Sequence, residues 1–252
     1  MCRRFAHTTI DFQWKGVAAV LKKLLAVWMA LALLVFSVPD AAAGNTKELK
    51  GCIALTFDDG PSGEITEALL DGLSVRGVKA TFFLCGYRAA QYPQLVQRMA
   101  ESGHELGLHS NRHDYMQHMT KDEALDDLLE NRLAVTEASG ITPVLFRPPG
   151  GLYSQELLDA AKELGLSVIF WSVDPHDWDK AQRGKALSYL LSHTDAGDIV
   201  LMHDLSGASV SAALSFIDTM RERGYAFCTV SALAAQAGVT LSPGTYYNRF
   251  PH

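Results

Sequence analysis

The chain has 252 residues, 48% hydrophobic and 20% charged, with 20 Gly, 9 Pro and a formal charge of −6. This is a globular composition with ample material for a core, and it excludes a disordered chain, a collagen-like repeat and a multi-span membrane protein. Four cysteines without Cys-x-x-Cys spacing exclude a disulfide scaffold and a zinc ribbon.

Arg3, Arg4, Lys15, Lys22 and Lys23 precede an uncharged apolar run from Leu24 to Val38, followed by Pro39, Asp40 and Ala41-Ala42-Ala43. A basic region, an apolar run and a small-residue site predict an export signal over residues 1–43, cut after Ala43. The alternative is a membrane tether through residues 24–38, although that run is shorter than the roughly 20 residues a spanning helix needs. Residues 1–43 hold five of the 22 basic and two of the 28 acidic side chains, which leaves the remainder at −9. So acidic a body, without a basic cluster, argues against a nucleic-acid partner.

Beyond residue 50 strands and helices alternate. Short apolar runs rich in β-branched and aromatic residues predict strands at 53–57, 79–84, 105–108, 144–147, 168–173, 199–203 and 225–230. The first helical stripe is Ile65, Ala68, Leu69 and Leu73; the second is Leu95, Val96, Met99 and Ala100, stopped by Gly103. Thr120 and Glu123 form a capping box ahead of Leu125, Leu128, Leu129 and Leu133. Ser154 caps a helix carrying Leu157, Leu158, Ala161 and Leu164, and Val210, Ala213, Leu214, Ile217 and Met220 mark a late one that ends at Gly224. Parallel neighbours need crossovers, so the pattern predicts one α/β domain over 44–252: a closed or nearly closed barrel of about seven parallel strands. Cys52, Cys85 and Cys228 fall in or beside strand-like runs and read as small buried hydrophobes, with a Cys52–Cys228 bridge as the alternative.

In such folds ligands bind at the C-terminal strand ends, and the polar motifs fall there. Asp58 and Asp59 close the first strand; adjacent carboxylates invite a cation or a shared proton. His109 and His113, past the third strand, are spaced to converge on one ion. With one of the two carboxylates they make a three-ligand set that keeps a position open for water, suited to zinc, or to cobalt or another divalent ion. Arg147 ends the fourth strand, where it can hold a carboxylate, and the stiff Pro148-Pro149 turn aims the N–H of Gly150 as an oxyanion donor. Asp174-Pro175-His176-Asp177-Trp178 follows the fifth strand, and Leu201-Met202-His203 ends the sixth, offering an oriented acid or base. His104, His118, His176 and His193 read as surface or loop groups, His176 being nearest the expected cleft. Tyr246-Tyr247 reads either as a sugar-stacking pair or as a tail folded over the barrel.

The ordered segments Thr56-Phe57-Asp58-Asp59-Gly60, His109-Ser110-Asn111-Arg112-His113, Arg147-Pro148-Pro149-Gly150-Gly151, Asp174 to Trp178 and Leu201 to His203 resemble the five motifs of the polysaccharide deacetylases, carbohydrate esterase family 4. The resemblance implies a distorted (β/α) barrel with about seven strands. It implies a divalent metal held by Asp59, His109 and His113, with Asp58 as the base that activates water and Arg147 steadying it. The Gly150 N–H would stabilise the oxyanion, His203 would act as the acid with Asp177 orienting it, and Trp178 and Leu201 would line the acetyl pocket. The third motif usually carries Tyr where Gly150 stands; a backbone donor survives that change, while the cleft's shape does not. The implied activity is removal of N-acetyl groups from a glycan such as peptidoglycan or a chitin-like oligomer. An acetyl esterase on xylan, a non-sugar amide hydrolase and a silent glycan-binding protein are the alternatives, and the last would have lost Asp58 or a ligand.

Overall fold

A computed structural model describes residues 49–251; the expected export signal and tether lie outside the described residues. All seven expected strands are present: β1 (Gly51–Asp58), β2 (Thr81–Leu84), β3 (Glu105–Leu108), β4 (Leu145–Phe146), β5 (Ser167–Ile169), β6 (Ile199–His203) and β7 (Tyr225–Cys228). An eighth, β8 (Tyr246–Tyr247), was not expected. Two residues after a Pro-Gly turn are too short a run to carry a periodic signal. The helices are α1 (Glu64–Arg76), α2 (Gly86–Gln91), α3 (Pro93–Glu101), α4 (Lys121–Ser139), α5 (Gln155–Glu163), α6 (Ala186–His193), α7 (Gly207–Glu222) and α8 (Val230–Gln236). None of the described helices is long and apolar enough to cross a membrane.

Every ladder is parallel, in the order β6-β1-β2-β3-β4-β5-β8. A bridge between Val173 and Val200 ties the continuation of β5 back to β6, which curls the sheet into the expected distorted barrel. β7 pairs with the lower half of β1, from Gly51 to Ala54, while β2 takes the upper half from Thr56.

Period-two alternation divides the strands into two faces. Ile53, Leu55, Phe57, Phe82, Leu84, Phe146, Val168 and Val200 belong to the cluster packed under the helices. Ala54, Phe83, Leu145, Ile169 and Ile199 form the second cluster, together with Val230, Leu233 and Phe250. Carrying the second face upward in steps of two leads to Thr56 and Asp58 on β1, His109 after β3, Arg147 after β4, Trp171 after β5, and Leu201 and His203 on β6. The barrel's inner face therefore delivers the motif residues to one end.

Three expectations are corrected. Cys52 and Cys228 form a disulfide, with Cα atoms 6.3 Å apart, rather than standing as separate buried hydrophobes; among the described residues Cys85 is the one free thiol, and it is buried. The bridge closes β1 to β7 across 176 residues of chain. Its reduction is expected to lower stability by about 2–4 kcal/mol, read as a drop in the urea midpoint with dithiothreitol that a Cys52→Ala/Cys228→Ala variant reproduces. On α4 the capping box of Thr120 and Glu123 is present, yet the buried face is Ala124, Leu128, Asn131 and Val135, and Leu129 and Leu133 are exposed. Asn131 is held inward because its amide donates to the carbonyls of Leu84 and Ser110, both at 3.0 Å. On α1 the buried set is Thr66, Leu69, Leu70 and Leu73, without Ala68.

Candidate active site

At the C-terminal end of the strands a cavity of about 270 Å³ is lined by Asp58, Asp59, His109, His113, Tyr115, Gly150, Trp171, Asp174, Trp178, Leu201 and His203. Two site residues named in the sequence, Arg147 and Asp177, are fully buried behind it.

Arg147 is the anchor. Its Nη1 donates to Asp58 Oδ1 and Thr56 Oγ1, both at 2.7 Å, and Nε and Nη2 donate to the carbonyls of Ile169 and Phe170 at 3.0 Å. The guanidinium also lies over the rings of Phe83 (4.1 Å) and Trp171 (5.5 Å). A buried cation so fully bonded fixes the Asp58 carboxylate in place and neutralises it. Burial lowers the arginine's own affinity for its proton, and Asp58 opposes that.

Asp59 Oδ1 lies 3.2 Å from His109 Nε2 and 3.1 Å from His113 Nε2. These residues can offer ligand atoms within 4.8 Å of one another, and among the described residues they form a candidate metal-holding group. Asp59, Ser110 and His113 all adopt left-handed backbone angles, with φ of 74°, 60° and 62°. For non-glycine residues each such angle costs on the order of 1–3 kcal/mol, a strain that persists where the surroundings over-determine it. Asn131, holding the Ser110 carbonyl, is one of those surroundings. The Ser110 hydroxyl is another, accepting from the N–H of Asp114 at 3.0 Å.

The donor set fits a cation. His109 Nδ1 donates to the Arg147 carbonyl at 2.7 Å, which in the neutral ring leaves Nε2 as a lone pair directed at the carboxylate. Asp59 Oδ1 is buried and has no hydrogen-bond partner. A buried carboxylate oxygen faced by two imidazole nitrogens is a donor set of the kind that holds a divalent cation. Burial works against the Asp59 charge, but the two imidazoles outweigh it and hold the carboxyl far below its usual range. Asp59 in turn raises His113 against its partial burial.

His203 is gripped by Asp177 through both oxygens: Nδ1 to Oδ1 at 2.9 Å and backbone N–H to Oδ2 at 3.0 Å. Burial disfavours its charge, yet Asp177, with the more distant Asp58 and Asp59, pushes the imidazole up to about 9. With Nδ1 committed to Asp177, Nε2 is the nitrogen left for the cavity.

Gly150 sits at φ 65° on the cavity rim, and a Cβ there would stand 2.8 Å from Tyr115 Cε1. Tyr115 thus takes the space a side chain at 150 would enter, which explains the glycine. Trp178 and Leu201 line the cavity, whereas His176 is half-buried outside it against the Trp178 ring. His118 and His193 are exposed as expected; His104 is not. It is buried, accepts the Ala80 N–H at Nδ1 (3.1 Å), and is pushed down to about 4 by that burial and by Lys79 and Arg98. Sequence reasoning missed Thr56, Tyr115, Trp171 and Arg183, whose guanidinium holds the Asp177 and Trp178 carbonyls. Inner-face parity was a usable signal for Thr56 and Trp171. It also missed Asp204, fully buried under Gly60, where Thr66 donates to its carboxylate and Ser62 to its carbonyl.

A parallel barrel with a candidate Asp-His-His cation site and a buried Arg-Asp pair at its strand ends places the protein among α/β barrels that carry their functional groups at the C-terminal strand ends. The polysaccharide deacetylase family model matches residues 45–169. A Listeria monocytogenes relative, peptidoglycan-N-acetylglucosamine deacetylase PgdA, is 36% identical over 196 residues, which are 78% of this chain and 41% of that protein. A Bacillus cereus peptidoglycan-N-acetylglucosamine deacetylase is 35% identical over 186 residues, 72% of this chain and 87% of the relative. A family 4 acetyl xylan esterase from Clostridium thermocellum, solved with a cobalt ion, matches with TM-score 0.75 and 30% identity, over 80% of this chain and 100% of that one. The chain belongs to the polysaccharide deacetylase family. It spans about two fifths of the length of the Listeria relative.

Proposed function

We propose that this protein is an exported deacetylase that hydrolyses N-acetyl groups of peptidoglycan amino sugars with the help of a divalent cation, zinc or cobalt. The observation that carries the reading is the orphaned Asp59 oxygen between two imidazoles, set beside a buried carboxylate and an oriented histidine in one cavity. Relatives whose names specify peptidoglycan support the substrate and a place in the cell envelope.

Asp59, His109 and His113 would hold the cation, which when bound supplies Lewis acidity that lowers a water's pKa and polarises an acetyl carbonyl. Asp58, pinned by Arg147, takes the proton from the attacking water. As the C–O bond forms, the Gly150 N–H donates to the oxygen on which charge develops. His203 gives its Nε2 proton to the departing amine nitrogen as the C–N bond breaks, and Asp177 stabilises the imidazolium beforehand. Trp178 and Leu201 exclude water around the methyl group. The products are acetate and a free amino sugar.

Purified protein is expected to release acetate from peptidoglycan when zinc or cobalt is added, and to stop in a chelator. Release from acetylated xylan alone would move it to the esterase reading, which the Clostridium structure favours; silence with cation bound would overturn both. The pH profile carries a further test. An acid held up to about 9 keeps its proton through neutrality and loses it as pH rises through that value, so the rate should fall on that basic limb. Asp177→Asn removes the raising partner and is expected to move the limb to lower pH.

A further inference from the structure

Tyr246 and Tyr247 lie on β8, whose pairing with β5 sets Tyr246 against Val168 and Tyr247 against Ile169. Alternation sends the two rings to opposite faces. Tyr247 turns to the inner cluster, where it stacks on the buried Phe250 at 5.7 Å and its hydroxyl accepts from the Ser242 N–H at 3.1 Å. That ring anchors the C-terminal segment. Tyr246 turns outward and is 51% exposed, so half of its surface is left for something other than holding the segment down.

Instead Tyr246 completes a three-ring cluster: its centroid is 5.6 Å from Tyr153 and 5.7 Å from Phe170, and Tyr153 lies 5.3 Å from Phe170. Tyr153 is 43% exposed and its neighbour Leu152 45%. Aromatic and leucine side chains kept together in water suit an apolar ligand face, and the cluster is continuous with the cavity by two routes. Phe170 is followed by Trp171, which lines the cavity, with ring centroids 6.3 Å apart. Tyr153 lies three residues past Gly150 on the rim, and a Cβ at the intervening Gly151 would stand 2.9 Å from the Trp171 ring. The end of β5 thus gives one ring to the cavity and the next to the outer shoulder.

The geometry points to a second binding site on this shoulder: Tyr153, Phe170 and Tyr246 form an aromatic platform for a neighbouring pyranose ring of the glycan chain whose N-acetyl group occupies the cavity. The inference rests on the glycan reading above and deepens it. A pyranose ring presents C–H groups on one face, which lie against an aromatic ring without stripping the hydroxyls at its edge of water. The platform makes affinity depend on chain length. A sugar confined to the cavity gains nothing from it, and a longer chain leaving over β5 does.

The test uses the full chain as wild type, Tyr246→Ala, Tyr246→Phe and a Tyr153→Ala/Tyr246→Ala double variant. Calorimetric titration with N-acetylated chitooligosaccharides from one to six sugars, each protein carrying Asp58→Asn to suppress turnover, reads binding, and acetate release from peptidoglycan and from a small aryl acetate by the proteins without that substitution reads catalysis. The expected result is wild-type affinity that rises with chain length. Tyr246→Ala should weaken the longer oligomers and raise KM for peptidoglycan by about fivefold to tenfold. The aryl acetate rate and Tm should be unchanged, Tyr246→Phe should match wild type, and the double variant should be weaker still. Length-independent binding, or a Tyr246→Ala loss equal on short and long ligands with a lowered Tm, would overturn the platform. Tyr246-dependent binding of long chains without acetate release would instead overturn the deacetylase reading and leave the platform standing.

Discussion

Asp58→Asn is expected to cut acetate release by about 10²–10⁴-fold while zinc or cobalt remains bound. The amide oxygen of Asn can still accept from Arg147, and the proposed ligands Asp59, His109 and His113 are untouched. What disappears is the proposed base, the carboxylate that Arg147 holds beside the proposed cation site: Asp58 Oδ1 is 2.7 Å from the guanidinium, and Oδ2 stands 3.7 Å from His109 Nε2. Metal content of the purified variant, set beside its rate on peptidoglycan, is the deciding pair of measurements. If the variant loses its cation together with its activity, Asp58 is a ligand and the division of labour between the adjacent carboxylates is wrong.

Arg147→Met is expected to lower stability by about 3–5 kcal/mol, read as a shift of the denaturant midpoint. The cost comes from what is left behind rather than from the ion pair itself. Asp58 is 2% exposed, and without the guanidinium its charge has no buried counter-ion; the carbonyls of Ile169 and Phe170 lose their donors as well. Arg147→Lys is expected to rescue little, because one ammonium cannot reach two carbonyls, a hydroxyl and a carboxylate arranged around a planar fork. Full stability in Arg147→Met would overturn the reading that this buried pair and its carbonyl partners stabilise the fold.

The seven strand positions, though not the far ends of the expected 168–173 and 225–230 runs, the capping box at Thr120 and the helix cap at Ser154 could be read along the chain, because each depends on neighbours within a few residues. Which residues gather at the cavity was legible for a related reason: adjacent carboxylates, two spaced imidazoles and a stiff Pro-Pro turn are local patterns at strand ends. Other features were not local. Leu129 and Leu133 kept a helical spacing, yet α4 buries Asn131 instead, since backbone carbonyls of Leu84 and Ser110 await a donor on that side. His104 looked like a loop residue until the Ala80 N–H came within its reach. Tyr115 entered the site because it occupies the space that Gly150 leaves open.

By itself, then, the sequence determined an alternating strand-helix chain, a parallel barrel and a set of carboxylates, imidazoles and an arginine at its strand ends, all carried by periodicity and short-range order. Only the tertiary structure decided which distant groups meet. It closed Cys52 onto Cys228 through the β1–β7 pairing, buried Arg147 against Asp58, aimed two imidazoles at one carboxylate oxygen, and parted Tyr246 from Tyr247 across a strand that the sequence did not announce. Register and strand order set those contacts, and both are fixed by packing of the whole sheet rather than by any single run of residues.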